Sequence, residues 1–291
     1  MPVVTFTASG DEASARRTAD LLDGPLEEEG IAYALFDCRN GRWEMTIHPP
    51  EGRAEAARDL LERISVELTF ERQDIPDENW VQRSLEGLKP VRAGRFLVHG
   101  SHDRGAVRVS DIAIEIEAGE AFGTGHHATT TGCLLAIERL LKRMRPRNVL
   151  DLGTGSGVLA IALAKRTDAR ILATDIDPAS VRTAWANARI NGVAPKVVVS
   201  RADGLAHPTI RHHAPFDLIV ANILAEPLRG LAPTVSHALG RGGTVILSGL
   251  LDRQARTVLN AYRRYGLEPT GTISLDGWST LTLSRSSRSL G

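Results

Sequence analysis

The feature that most constrains the fold is the run VLDLGTGSGVLAIALAK, Val149 to Lys165. An apolar strand ends in three glycines at alternate positions, Gly153, Gly155 and Gly157, and an apolar helix follows at once. A strand that is apolar but for Asp151 and a helix that is apolar up to Lys165 must be buried between other layers, which is the situation of a parallel sheet covered on both faces. The flanking sequence continues the alternation. Helix HATTTGCLLAIERLLKRM precedes the run; strand RILATDID, helix PASVRTAWANARING, strands KVVVSRAD and FDLIVANIL, helix EPLRGLAPTVSHAL, strand GTVILSGL and helix LDRQARTVLNAYRRYG follow it. The last pair of strands, LEPTGTISLDGWSTLTLSR, turns at Asp276-Gly277 and reads as an antiparallel hairpin on one side of the sheet.

The first 72 residues are a different object. Strand VVTFTA, helix DEASARRTADLLDG closed at Gly24, strands AYALFDC and RWEMTIH across Asn40-Gly41, helix GRAEAARDLLERI and strand SVELTFER follow in the order β-α-β-β-α-β. That order predicts a ferredoxin-like domain with two helices on one face of a small sheet. Residues 73–90, polar with Trp80, read as a partly helical linker, and residues 91–291 as the second domain, which opens with short strands such as DIAIEIE. The net charge of zero hides an asymmetry. Residues 1–80 hold 18 Asp and Glu against 8 Arg and no Lys, a net of −10, so the rest carries +10. Either the two parts attract one another, or the acidic part receives a basic partner.

The glycines supply backbone N–H groups at the carboxyl edge of the sheet, where ligands of open α/β sheets bind. A dinucleotide fingerprint, G-x-G-x-x-G, would place its third glycine at Val158; the spacing is G-x-G-x-G instead. That matches the nucleoside loop of S-adenosylmethionine-dependent methyltransferases, whose ligand has no pyrophosphate to cradle. Asp175, at the end of the next strand, can accept from both ribose hydroxyls, while Asp177 suits the N-cap of a helix that starts at Pro178. Asp203 falls near the adenine or is a turn aspartate before Gly204. Asn222 ends the fourth strand, where its amide has no packing role and can orient an incoming amine.

Before the first helix of the sheet lies EAGEAFGTGHHATTTGC, residues 117–133, rich in Gly and Thr where a core would be apolar. It reads as a glycine-hinged lid over the cofactor mouth. His126 and His127 are adjacent, so their side chains diverge and give little support to a metal site. His212 and His213 read as solvated loop residues. Cys38 and Cys133 are too few for a disulfide framework and read as buried thiols.

AFGTGHHATT, LDLGTGSGVLAIALAK, ATDIDP and VANILAEPL together resemble the ribosomal protein methyltransferases of the PrmA type, which modify large-subunit ribosomal protein eleven. The resemblance covers the whole chain and implies a Rossmann-like, seven-stranded class I methyltransferase domain behind a small α+β domain that recognises the substrate. It implies that Thr130, Gly153, Asp175 and Asn222 contact S-adenosylmethionine; Gly155 and Asp203 join them by position, and Asn222 is the candidate catalytic residue. It also implies methylation of lysine side chains and an N-terminal amine.

The expectation is therefore a cytoplasmic, monomeric protein-lysine N-methyltransferase with S-adenosylmethionine as cofactor and no metal, no nucleic-acid partner and no membrane contact. Another protein client, such as a flavoprotein subunit, is the alternative. A nicotinamide dehydrogenase lacks its third glycine, and a non-catalytic adaptor would not need Asp175, the loop and Asn222 together.

Overall fold

A computed structural model describes residues 3–38, 42–50, 52–64, 66–75, 90–116 and 127–285. The chain forms two compact units, Met1–Gly87 and Leu88–Gly291. In the first, β1 (Val3–Gly10), α1 (Glu12–Glu28), β2 (Ala32–Asp37), β3 (Trp43–His48), α2 (Ala54–Arg63) and β4 (Glu71–Ile75) follow in the β-α-β-β-α-β order. The sheet order is β2-β3-β1-β4, antiparallel throughout. The strand period of two sends Phe6, Ala8, Met45 and Ile47 to one face, where they meet Leu22, Leu26 and Leu60 of the helices. This is the ferredoxin-like arrangement.

Two boundaries in this unit depart from the sequence reading. Helix α1 does not close at Gly24 but continues through Pro25 to Glu28. Pro25 has no N–H to donate to the carbonyl of Leu21, a residue on the exposed side of the helix at 51%. Leu22 and Leu26, one helical turn apart and both 0% exposed, hold the turn by burial. The last strand is not at 65–72 but at Glu71–Ile75, paired with β1 from Val3↔Ile75 to Thr7↔Glu71. Val66, Leu68 and Phe70 have a strand's period but pack on the core without a ladder; Leu68 fills the space beside Gly10, where a Cβ would stand 2.5 Å from its Cδ2. Residues 39–41, and most of the linker including Trp80, lie outside the described residues. Cys38 is exposed, not buried, and its amide donates to the carbonyl of Arg42 at 2.9 Å, extending the β2–β3 pairing to the end of the strand.

The second unit opens with a three-stranded sheet of β5 (Val91–Ala93), β6 (Phe96–His99) and β7 (Ile112–Glu115). Then come α3 (His127–Leu141), β8 (Asn148–Leu152), α4 (Val158–Arg166), β9 (Arg170–Asp175), α5 (Pro178–Ile190), β10 (Val197–Arg201), α6 (Pro208–His213), β11 (Phe216–Asn222), α7 (Ala225–Ala238), β12 (Leu239–Leu251), α8 (Asp252–Arg263), β13 (Leu267–Leu275) and β14 (Trp278–Arg285). Their sheet has the order β10-β9-β8-β11-β12-β14-β13. The first five run parallel, and β14 is antiparallel to both its neighbours. Asp276 (φ 50°) and Gly277 (φ 80°) make the turn of the closing hairpin, as the Asp-Gly pair predicts. Separate apolar clusters cover the two faces, one centred on α3 and α4, the other on α7 and α8. This is the Rossmann-like, seven-stranded fold expected.

Helix α6 was not legible as a helix. His207 caps it by accepting from the Thr209 amide at 3.3 Å, and Nδ1 of His213 meets the Thr209 carbonyl at 2.7 Å. His213 is thus a half-buried, hydrogen-bonded helix residue; His212 alone of the pair is exposed. Cys133 is buried in the first cluster, and burial pushes its thiol up to about 12. Among the described residues no helix is long and apolar enough to cross a membrane.

Candidate functional site

Chain order reverses across the sheet between β8 and β11: β9 and β10 lie to one side of β8, β11 and β12 to the other. The crevice outside the carboxyl ends of these strands is where such sheets take ligands. The residues singled out from the sequence come to this edge.

Gly153, Gly155 and Gly157 have φ of 69°, 54° and 84°, left-handed values that side-chain-bearing residues rarely adopt. The loop they form is fastened from both sides. The amides of Gly153 and Thr154 donate to the Thr174 carbonyl of β9 at 2.8 and 2.9 Å. Asn187 of α5, fully buried, donates from Nδ2 to the Ser156 carbonyl at 2.9 Å. A Cβ on Gly157 would stand 3.2 Å from Cα of Ala184, so α5 lies directly against the loop.

Asp175 closes the cradle. Its Oδ2 accepts from the Gly155 amide at 2.9 Å and its Oδ1 from the Asp177 amide at 3.1 Å. Each oxygen has two acceptor directions, so one on each is left for a further donor. Asp177 caps α5 as expected, accepting from the amides of Ala179 and Ser180 at 2.9 and 3.0 Å with Pro178 at the first helical position. Asp203 is exposed in the bend after β10 and directly precedes Gly204, whose φ is 66°. Because Arg201 pairs with Asp175, Asp203 stands two residues beyond that pair at the same edge. Its turn geometry meets the turn reading, and its exposure leaves the carboxylate open to a ligand.

On the other half of the edge, Asn222 is the last residue of β11. Its neighbour Ala221 pairs with Leu152, one residue before Gly153, and Asn222 itself pairs with Ser248 of β12. Ser248 Oγ reaches the Thr129 carbonyl at 3.4 Å and Thr280 Oγ1 at 2.8 Å, which ties the first turn of α3, with Thr130, to the same strand end. Residues 117–126, including His126 and the rest of the expected lid, and the His127 side chain lie outside the described residues. Among the described residues no group of three or more His, Cys, Asp or Glu could hold a metal ion.

Asp151 has no role legible in the local sequence pattern. It is 1% exposed beneath the loop; Oδ2 accepts from Thr154 Oγ1 at 2.7 Å and the Ala160 amide at 3.0 Å, while the buried Oδ1 has no partner among the described residues. Burial pushes its carboxyl up to about 6, opposed by those two hydrogen bonds and reinforced by the charge of Asp175. A charged residue inside the apolar run VLDLG was the available signal. Ile223 and Ser248, both at the Asn222 strand end, carried no signal, since each is an ordinary residue of an apolar strand or its exit.

These residues suit S-adenosylmethionine. The glycine cradle admits close approach by a nucleoside, Asp175 offers paired acceptor directions to a diol, and three carboxylates on the β8–β10 half, Asp151, Asp175 and Asp203, suit a ligand that bears positive charge.

Comparison with known proteins points the same way. Residues 33–286 match the family described as Ribosomal protein L11 methyltransferase (PrmA). A curated Ribosomal protein L11 methyltransferase from Brucella suis is 48% identical over 277 residues, covering 94% of this chain and 97% of its own. Another, from Bradyrhizobium diazoefficiens, is 49% identical over 291 residues, covering 97% and 98%. A crystal structure of a ribosomal protein L11 methylase from Lactobacillus delbrueckii subsp. bulgaricus matches 68% of this chain and all of its own with a TM-score of 0.62 at 33% identity.

Proposed function

The chain belongs to the ribosomal protein L11 methyltransferase family, and from that premise we propose that it transfers methyl groups from S-adenosylmethionine to amines of ribosomal protein L11, on lysine side chains and the N-terminus. It is a protein methyltransferase, and S-adenosylmethionine is its cofactor. The observation that carries the assignment of the site is the Asp175 carboxylate, held by the amides of Gly155 and Asp177 with acceptor directions to spare, one strand from the end of β8.

The cofactor supplies a methyl group on a positively charged sulfur, open to attack by a neutral amine. The loop at Gly155 would let its nucleoside approach the main chain, with Gly153 shaping the turn beside it, Asp175 would accept from the ribose hydroxyls, and Asp203 stands at the neighbouring strand end for the base. Thr130 would close the site from the first turn of α3. Asn222 would orient the amine, its amide oxygen accepting an amine N–H so that the nitrogen lone pair faces the methyl group. Lysine's unperturbed pKa of about 10.4 leaves only about one amine in a thousand unprotonated near neutral pH. Desolvation at the edge, beside a cationic ligand, would lower that pKa, so no dedicated base is required.

The first unit would recognise the client. With residues 1–80 at a net charge of −10, it is suited to a basic protein and repels phosphates.

The test is mass spectrometry of purified L11 after incubation with the protein and S-adenosylmethionine. Increments of one or more methyl masses, absent with Asp175→Ala, are the expected result. Cofactor binding without any increment on L11 would remove this client while leaving the methyltransferase.

A further inference from the structure

Directly after Asn222 the chain leaves the sheet at Ile223, and two glycines close on it, one just past β8 and one in β12. On the β8 side, a Cβ built on Gly153 would stand 2.4 Å from Ile223 Cγ2, so a branched γ-methyl fills the space a side chain there would need. On the β12 side, Gly249 has φ of 85°, and a Cβ on it would stand 2.2 Å from the Ile223 carbonyl oxygen, 2.8 Å from its carbon and 3.1 Å from its nitrogen. Real Cβ atoms essentially never come within 3.0 Å, so a side chain at either glycine would force Ile223 to move. Ile223 is half-buried against the second core cluster, and its side chain, branched at Cβ, has few rotamers.

We infer that Ile223 is a positioning residue: with its peptide seated on Gly249 and its γ-methyl on Gly153, it fixes the direction of the Asn222 amide relative to the glycine loop. The inference rests on the reading of Asn222 as the residue that orients the amine. Its distinctive consequence is that the shape of residue 223 matters more than its apolar bulk. Valine keeps the branched γ-methyl that touches Gly153. Leucine has the volume of isoleucine but no branch at Cβ, so its chain must either lift from Gly153 or turn the peptide.

The test uses the full chain with Ile223→Val, Ile223→Leu and Asn222→Ala. It reads kcat for L11 methylation at saturating substrates, the Kd of S-adenosylhomocysteine by calorimetry, and Tm. Ile223→Val should stay within about 2-fold of the parent in kcat, whereas Ile223→Leu should lose about 10-fold or more with Kd and Tm nearly unchanged, because a displacement near 1 Å can cost up to about 10²-fold in rate. A role in burial alone ranks leucine above valine, the reverse order. The inference is overturned if Ile223→Leu matches the parent in kcat, or if its loss lies wholly in Kd or Tm, while Asn222→Ala is slow. Undiminished kcat in Asn222→Ala would instead overturn the reading of Asn222 itself, and this inference with it.

Discussion

Replacing Asp151 with Asn tests the electrostatics of the cradle, because Asp151 is a buried carboxylate with one oxygen that has no partner among the described residues. Its carboxyl is raised from 3.8 to about 6, chiefly because burial disfavours the charged form. The folded protein therefore holds this proton more tightly than the unfolded chain. The sign follows: the contribution to stability is fully present below pH 3.8 and is lost as pH rises through about 6. Moving a carboxyl from 3.8 to about 6 corresponds to about 3 kcal/mol. Asparagine carries no charge and keeps an oxygen that can accept from Thr154 Oγ1 and the Ala160 amide, so its stability lacks this dependence. Measured by calorimetry at matched pH values, the stability of Asp151→Asn relative to the parent should climb by about 2–3 kcal/mol between pH 4 and pH 7.5, or roughly 4–12 °C in Tm for a unit of this size. Taking the difference between two proteins at each pH cancels the titration of every other group. A difference that stays flat across that range would refute the account of Asp151 as a buried charge held against its tendency to protonate.

Asp175→Ala should weaken S-adenosylhomocysteine binding about 10- to 100-fold by calorimetry, since it removes charge-assisted acceptors for the ribose and frees the Gly155 amide. Gly157→Ala should lower stability by about 1–3 kcal/mol in urea denaturation, because a Cβ at φ 84° is strained and would press on the Ala184 backbone at 3.2 Å. Removing residues 1–87, the whole first unit and not only the first 72 residues, should leave cofactor binding near the parent value and abolish L11 methylation in the mass-spectrometric assay; retained methylation would refute the recognition role.

What could be read beforehand depended on whether local pattern and tertiary packing agreed. The Gly153–Gly157 loop, the Asp177-Pro178 cap and the Asp276-Gly277 turn are local chemistry, and each stands where its residues point. The pattern failed where packing overrode it. Val66, Leu68 and Phe70 alternate like a strand but are spent on the core, so β4 starts later, at Glu71. Gly24 and Pro25 look like a stop, but burial of Leu22 and Leu26 carries α1 across them. Helix α6 is too short to display a period. At the site, Asp175 and Asn222 were visible because a polar residue at a strand's carboxyl end is conspicuous. The clasp of Ile223 by Gly153 and Gly249 was not, because it joins residues at the ends of two strands with one inside a third and depends on register.

At the strand ends themselves Asp151, Asp175 and Asp203 stand on the β8–β10 half, whereas Asn222, Ser248 and Thr130 are neutral; the carboxylates of that other half, Glu226 and Asp252, belong to the first turns of α7 and α8. For attack by an amine this division is useful. A carboxylate beside the nucleophile would stabilise its ammonium form and raise its pKa, deepening the deficit of neutral amine. An amide oxygen accepts the same N–H without holding a full countercharge. Asn222→Asp separates the two effects, since it keeps the size and an acceptor oxygen while exchanging the amide's N–H donors for a negative charge. Its pH–rate profile on L11 should shift to alkaline pH by about 1 unit or more, with kcat/KM near neutrality reduced about 10-fold or more and partly regained as pH is raised. The folded state should be little affected, because Asn222 is only half-buried. A profile superimposable on that of the parent would mean that the amine does not pass close to residue 222, and would move the search for its orienting group to the Thr130 side of the edge.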